Sequence, residues 1–345
     1  MAAPSSSVAA SHRPSSRSVR FIGLVGRIRE LGLLIALAVL VLGVTLVEPR
    51  FVDPRNVQRI LQSVSILAIL AVAQTLVVLT RNVDLSVASI VGLVAYVAGA
   101  TMRDNPDISV PLVVAGGCLL GLALGVVNGL LVTVGRVPAI VATLGTLYVF
   151  RGIDYWIASG KQVVVSDVPQ AYRDITTRRV LDIPTPILYA AVVMVVVGYV
   201  LRFSRTGRQL YAIGSNPAAA RLAGIRSDAL VFGAFTAAGL LAGLGGILWG
   251  SRQGAIDARA ASGFELQVIA AVVVGGVNIF GGSGTVFGAV LGAILLGTIA
   301  NALTILRLDA FWLQAISGAA ILIAVTIDLL ITRRLQRALL MGRNR

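Results

Sequence analysis

The chain has 345 residues, of which 57% are apolar and 13% are charged, and its mean hydropathy is +0.90. Soluble domains carry about 25% charged residues, so this composition excludes an ordinary water-soluble protein and indicates a membrane protein. The net charge of +14 does not indicate nucleic-acid binding, because the basic residues lie in short strips between apolar runs and not on a soluble domain.

The inventory of reactive side chains is equally restrictive. Cys118 and His12 are the only residues of their types. No disulfide, thiol–imidazole pair or His/Cys metal site can be built from them, so we predict no catalytic residues and no metal site.

The N-terminal part of the chain is a basic tail of 30 residues with five arginines. The apolar run that follows, 31–47, ends at Glu48-Pro49-Arg50, which lacks the small residues of a signal-peptide cleavage site. We therefore predict an uncleaved first span, a transmembrane domain over 31–331, and basic cytoplasmic tails at 1–30 and 332–345.

Charges, prolines and glycine clusters divide the chain into apolar stretches of roughly the 17–25 residues that a helix needs to cross a bilayer. The predicted fold is all-α, a polytopic membrane bundle of about ten helices. The joins at 80–84, 135–137 and 281–283 are short enough for a broken or re-entrant helix. The predicted spans are 31–47, 60–79, 85–101, 111–134, 138–158, 186–201, 230–250, 264–280, 284–306 and 311–331.

The loop charges predict an orientation in the bacterial inner membrane. With both termini in the cytoplasm, the segments on that side hold 17 arginines and 3 acidic residues, whereas the opposite loops hold 11 basic and 9 acidic residues. Basic loops stay preferentially in the cytoplasm, which favours this orientation.

Glycines recur at every fourth position in two predicted spans, and each series lets a neighbouring helix approach closely. The two series lie five spans apart, and spans separated by an odd number run in opposite directions. This placement favours an inverted repeat of spans two to five on spans seven to ten, an arrangement typical of transporters. The positions are Gly117, Gly121, Gly125 and Gly129 in the fourth span and Gly284, Gly288 and Gly292 in the ninth.

The cytoplasmic loop 202–229 contains the signals of a complete short helix over 216–224. Asn216 suits the N-cap, Pro217 the first helical position, and Gly224 a left-handed C-cap. So short a helix does not persist alone in water. An ordinary basic loop and a docking element for a cytoplasmic partner both fit these signals.

This loop resembles the coupling segment of permease subunits in the ribose-type family of bacterial ABC importers, for which a stretch such as GRxxYAxGxNxxAARxxGI is typical. Further segments resemble the family in the same order along nearly the whole chain. They are DLSV at 84–87, NGLLV at 128–132, IVATLGT at 140–146, RG at 151–152, ELQVIAAVVVGG at 265–276 and GGSG at 281–284.

The resemblance implies a monosaccharide importer that works with two other proteins. These are an ABC ATPase subunit, which would bind ATP and Mg²⁺, and an extracytoplasmic solute-binding protein. A homodimer or a pseudo-dimer with a related permease is also implied. The residues that the resemblance assigns to coupling are Gly214, Ser215, Asn216, Pro217, Ala219, Arg221 and Gly224.

The chain departs from the family pattern at Arg81-Asn82-Val83, where small residues and Ile are common, at Ala88, which replaces a glycine, and at Ser283, which replaces a residue that is often basic. These departures leave the family assignment intact and weaken any transfer of substrate identity.

The chain lacks the lysine that ATP hydrolysis needs. A Walker A motif requires Gly-x4-Gly-Lys-Ser/Thr, and the only lysine is Lys161, in the sequence Ser-Gly-Lys-Gln. We therefore predict that the chain is not an enzyme, holds no cofactor of its own and receives its energy from a partner.

Near the predicted midplane of the bilayer no span carries an ionisable residue, which argues against ion-coupled transport. A secondary transporter and a permease for branched-chain amino acids remain the alternative functions. The uncharged polar residues of the spans and the acid that opens the third span are the candidates for the pathway, although a helix–helix hydrogen bond or an N-cap explains each of them too. They are Gln74, Asp84, Asn128, Thr143, Thr146, Gln267, Asn278 and Asn301.

Overall fold

A computed structural model of the chain describes residues 16–164, 166–253, 255–309, 311–323 and 325–326. The predicted tail at 332–345, half of the tail at 1–30 and the last residues of the tenth predicted span lie outside this part. Within it the chain consists of helices, loops and four two-residue strands, which confirms the all-α membrane bundle.

The helices follow one another with short connections, apart from an outer segment between α5 and α7. Their bounds are α1 Ser16–Val47, a 3₁₀ turn Pro49–Val52, α2 Pro54–Val78, α3 Val87–Asp104, α4 Val110–Thr133, α5 Ala139–Ala158, α6 Gln170–Thr177, α7 Thr185–Phe203, α8 Arg205–Ser215, α9 Pro217–Leu222, α10 Ser227–Arg252, α11 Phe264–Val274, α12 Val286–Ile305 and α13 Phe311–Ile323.

The four strands fasten the loops on one side of the bundle. Strand β1 (Val163–Val164) pairs antiparallel with β4 (Ala255–Ile256), and β2 (Arg179–Val180) pairs with β3 (Ile183–Pro184). Because α7 joins this side to the side that carries α8 and α9, the two lie at opposite ends of the bundle. We call them the α6 face and the α9 face.

Seven helices of the described part are long and apolar enough to cross a membrane, namely α1 from Glu30, α2, α3, α4, α7, α10 and α12. They confirm seven predicted spans. Helix α5 is also a helix of 20 residues, as predicted, although Arg151 and Asp154 lower its hydropathy. The chain is thus a multi-pass inner-membrane protein.

The predicted span 264–280 is wrong at its C-terminal end. Helix α11 has 11 residues and ends at Val274. The join that follows has left-handed backbone at Gly276, Gly281 and Gly282, with φ of +97°, +81° and +74°. A helix cannot continue through such residues, so α11 is a half-length helix followed by a compact turn.

Helices α2 and α3 form the centre of the bundle. In the most apolar stretch of each, 83% and 72% of the residues are buried inside the protein, whereas the share is 17% in α4 and in α7. The loops at the two ends of α2 and α3 are therefore held by protein on several sides, and the outer helices present apolar side chains to lipid.

The two glycine series do what their spacing predicts. A Cβ at Gly121 would lie 2.6 Å from the Cα of Gly243 in α10, so the backbones of α4 and α10 are in contact. In the second series Gly288 and Gly292 pack on the backbone of Gly275 and Ala271, at the end of α11.

The packing of the halves agrees with the predicted inverted repeat. Helix α4 of the first half lies on α10 of the second, and α12 of the second half lies on α2 of the first. The third helix of each half thus packs on the first helix of the other half. A two-fold axis in the membrane plane that relates the halves would give this reciprocal packing.

Candidate functional site

The short helix on the α9 face has the caps that its sequence predicts. The side chain of Asn216 accepts a hydrogen bond from the backbone N–H of Ala219 at 3.0 Å, and Pro217 is the first helical residue. At the other end Gly224 has a φ of +74°, and the N–H of Ile225 donates to the carbonyl of Ala220 at 3.1 Å. These two features form a Schellman motif, which satisfies the last carbonyls of α9.

Helix α8, which precedes α9, was missed in the sequence although its signals are present. The hydroxyl of Ser204 accepts from the N–H of Gly207 at 2.9 Å and caps the helix. Leu210 and Ile213 are buried, at the three-residue spacing of one helix face. Helix α8 therefore lies flat against the ends of the membrane spans.

The C-terminal end of α8 is held between two joins of the membrane spans. Arg81, in the α2–α3 join, donates from Nε to the carbonyl of Gly214 at 2.5 Å and from Nη2 to that of Ser215 at 3.0 Å. Gly282, in the α11–α12 join, donates its N–H to the carbonyl of Leu79 at 3.1 Å. The hydroxyl of Ser215 donates to the carbonyl of Gly282 at 3.3 Å. The segment that the resemblance assigns to coupling thus contacts both joins directly.

Glycine is the only residue that fits at position 214. A Cβ there would collide with the carbonyl oxygen of Leu79 and with the backbone nitrogen of Gly282. One turn earlier the Tyr211 hydroxyl donates to the carbonyl of Gly284 at 2.8 Å. Because these contacts involve backbone atoms, a displacement of α8 has to move both joins.

Below this contact, four of the predicted pathway residues form one hydrogen-bonded network. The Oδ1 atom of Asp84 accepts from the N–H and the hydroxyl of Ser86, at 2.8 and 2.7 Å. Asn128 of α4 donates to the Ser86 hydroxyl at 2.7 Å and accepts from the hydroxyl of Thr146 at 2.7 Å. The hydroxyl of Thr143 donates to the carbonyl of Val83 at 3.2 Å.

Asp84 is the acid of this network, and only 2% of its surface is exposed. It lies in the α2–α3 join, outside both helices. Burial raises the pKa of its carboxyl group, and the hydrogen bonds from Ser86 oppose that shift. The amide of Gln74, oriented so that donors face acceptors, accepts from the N–H of Asp84 at 3.0 Å and donates to its carbonyl at 3.3 Å.

The other three predicted pathway residues lie elsewhere. Asn301 exchanges hydrogen bonds with Asn56 of α2, at 2.9 and 3.2 Å. Asn278 accepts from the N–H of Phe280 at 2.8 Å and so shapes the α11–α12 join. Gln267 of α11 lines a cavity that opens at the α6 face. The structure therefore places the eight candidates in four separate locations.

Helix α5, whose Thr143 binds the α2–α3 join, also holds a second turn, at 257–263 on the α6 face. The Nη1 atom of Arg151 in α5 donates to the carbonyls of Ala258 and Ala260, at 3.1 and 2.7 Å. Asp154, completely buried, lies 3.8 Å from the same Nη1 atom. Thr143 and Arg151 are about 12 Å apart along the helix axis, at 1.5 Å per residue. Helix α5 thus bridges the turns of the two faces.

A multi-pass bundle with an amphipathic helix pair clamped to its span joins defines a class, the membrane subunits of transport systems. The chain belongs to the family described as "Branched-chain amino acid transport system / permease component", whose model matches residues 56–325.

Several named transport proteins are similar to most of the chain. The ribose import permease protein RbsC of Escherichia coli (strain K12) is 36% identical over 297 residues, which cover 86% of this chain and 92% of the relative. The autoinducer 2 import system permease protein LsrC of Photorhabdus luminescens is 36% identical over 306 residues, 88% of this chain and 91% of the relative. The RbsC protein of Haemophilus influenzae is 35% identical over 296 residues, 85% of this chain and 91% of the relative. No solved structure matches the chain.

Proposed function

We propose that the chain is the permease subunit of an ATP-driven importer and that it translocates a monosaccharide delivered by an extracytoplasmic binding protein. Its named relatives import ribose and autoinducer 2, and none of those cited carries an amino-acid name. These names favour a sugar over the branched-chain amino acid in the family description. The permease works as a dimer, with itself or with a related chain.

The observation that carries this proposal is the attachment of the C-terminal end of α8, which leads directly into α9, to two span joins. The α9 face is the cytoplasmic face, where an ABC ATPase binds ATP and Mg²⁺ and changes shape as it hydrolyses ATP. A push on α9 passes into α8, and from Gly214 and Ser215 into both joins. The energy of hydrolysis thereby reaches the centre of the bundle without any nucleotide site in this chain.

Leu222 supplies an apolar anchor for that partner. It is the last residue of α9, and 91% of its surface is exposed. Ala220 on the opposite side of the helix is buried against the bundle. The exposed leucine at the tip of the capped helix offers a partner an apolar contact beside the basic Arg221, as in an interface with an apolar core and a polar rim.

The test compares Leu222→Glu with Leu181→Glu, because Leu181 is 90% exposed on the opposite face. We expect Leu222→Glu to abolish co-purification of the ATPase and ATP-dependent ribose uptake while the amount of protein in the membrane stays unchanged. Leu181→Glu should leave both intact. Normal uptake by Leu222→Glu would contradict the coupling role, and ribose accumulation by the chain alone on an ion gradient would contradict ATP coupling.

A further inference from the structure

The α6 face carries a cavity of about 460 Å³ between the end of α10, the turn at 257–263 and the start of α11. Its volume lies within the range of about 300–1,000 Å³ that small-molecule sites occupy. Its walls bring together aromatic rings, carboxamides, a hydroxyl and one charge of each sign. They include Trp249, Gln253, Asp257, Arg259, Ser262, Phe264 and Gln267.

Two aromatic rings form the apolar wall of the cavity. Trp249 and Phe264 pack edge to face, with ring centroids 5.0 Å apart and an interplanar angle of 64°. The negative face of an aromatic ring attracts weakly positive C–H groups, which a sugar ring presents on its two faces. The C–H face of a puckered sugar ring therefore finds a stacking surface here.

The polar groups of the cavity suit hydroxyl groups. In the described part of the chain the side chains of Gln253, Ser262 and Gln267 form no hydrogen bond, so each is free to bind a ligand. A carboxamide both donates and accepts, and so does a hydroxyl, which matches the two roles of a sugar hydroxyl. The charges of Asp257 and Arg259 balance, which favours a neutral ligand over an ion.

The turn that closes the cavity is held in a strained conformation. Ala261 has a φ of +56°, a left-handed conformation that is unfavourable for a residue with a side chain. The two hydrogen bonds from Arg151 to Ala258 and Ala260 hold the turn in this shape. Gly92 of α3 leaves room for them, because a Cβ there would lie 2.6 Å from the carbonyl oxygen of Ala260 and 2.7 Å from Nη1 of Arg151. Backbone strain of this kind persists where a precise site is built.

We propose that this cavity is the entrance subsite of the transport path and that it receives a neutral monosaccharide from the binding protein. The inference rests on the proposed function and adds the place where the sugar first contacts the permease. Trp249 and Phe264 stack on the ring, and Gln253, Ser262 and Gln267 bind its hydroxyl groups. Arg151 is a positioning residue that acts through the turn.

Thiol protection tests the subsite without requiring transport. In a Cys118→Ala background, Gln253→Cys, Ser262→Cys and Gln267→Cys are each labelled with a methanethiosulfonate reagent in permeabilised membranes, so that both faces are accessible. Ribose, xylose, glucose and galactose serve as probes, with leucine as the comparison. Gln162→Cys, exposed on the same face, is the matched control.

We expect at least one sugar to slow labelling several-fold at all three cavity positions and not at Gln162→Cys, and leucine to have no effect. Adding Trp249→Ala should remove the protection, whereas Trp249→Phe, which keeps an aromatic face, should retain most of it. Protection by leucine, protection by no sugar, or equal protection at Gln162→Cys would overturn the proposal.

Uptake measurements separate this proposal from the function it rests on. If the complete importer takes up sugar with ATP but sugar protects no cavity position, the subsite is contradicted and the importer function is supported. If sugar protects the cavity but no ATP-dependent uptake occurs, the subsite is supported and the importer function is contradicted. Protection by the binding protein but not by free sugar would show that the cavity docks that protein and would also overturn the subsite.

Discussion

Arg81 has a backbone conformation that glycine usually adopts, with a φ of +67°. The family pattern that the sequence resembles has small residues at this position, whereas this chain places a strained arginine there. The guanidinium binds two carbonyls at the C-terminal end of α8, where the helix dipole favours a positive charge. The bond to α8 offsets the strain, and the coupling segment gains a contact that depends on a single side chain.

Replacing Arg81 separates the role of this contact from that of the backbone. Both Arg81→Ala and Arg81→Gly remove the two hydrogen bonds, and we expect each to reduce ATP-driven uptake by roughly fivefold or more, since each bond contributes about 1 kcal/mol. Arg81→Gly also relieves the strain, so normal uptake by that variant alone would show that only the backbone shape matters. Arg136 is a matched control, because it too is left-handed, with a φ of +54°, in the α4–α5 join. Arg136→Ala should transport normally.

Local signals explain which residues of the site could be predicted. Asn216, Pro217 and Gly224 act within a few positions of themselves, so the caps of α9 could be predicted from the sequence. Gly214 could be assigned to coupling only by resemblance. A side chain there would collide with the backbone of Leu79 and Gly282, and both residues are distant in the chain. The hydrogen-bonding partners of Asn128 and Thr146 were likewise hidden, because they lie on different helices.

At the scale of helices, the spacing of glycines is a reliable guide and the length of an apolar run is not. Four-residue spacing predicted close packing of α4 and of α12, and both are observed. The apolar run 264–280 predicted a full span, but the glycine pair at 275–276 interrupts it and α11 ends after 11 residues. Apolar sequence in a buried turn is indistinguishable from apolar sequence in a span, since both avoid water.

The contact between α4 and α10 predicts different effects for glycines on the two sides of one helix. Gly121→Ala puts a methyl group against the backbone of Gly239 and Gly243, and we expect it to lower the free energy of unfolding by about 1–3 kcal/mol. Gly116→Ala, in the same helix, meets no atom within 4 Å and should be neutral or slightly stabilising. Unfolding in mixed detergent micelles measures both. Equal stability of the two variants would contradict the packing.

At the scale of the whole molecule, α5 connects two turns that belong to opposite faces. Thr143 holds the α2–α3 join, next to the coupling segment, and Arg151 holds the turn that closes the outer cavity. The predicted inverted repeat accounts for one such turn at each face. A shift of α5 along its axis therefore changes both contacts at once, and tightens the hold on one turn as it loosens the hold on the other. Alternating access needs this property, since the two ends of a transport path must not open at once.

The orientation of the bundle is predicted from charge and is open to a direct test. With both termini assigned to the side of α9, the sequence segments of that side hold 17 arginines and 3 acids, and the loops assigned to the other side hold 11 basic residues and 9 acids. In a Cys118→Ala background, Leu222→Cys and Leu181→Cys probe the two sides with almost equal exposure, 91% and 90%. An impermeant thiol reagent should label Leu181→Cys in intact spheroplasts and Leu222→Cys only after permeabilisation. Because α7 alone separates the two positions, they must lie on opposite sides in either orientation. Labelling of Leu222→Cys in intact spheroplasts would thus show the opposite orientation, with α8 and α9 on the outer side, where a cytoplasmic ATPase cannot bind them.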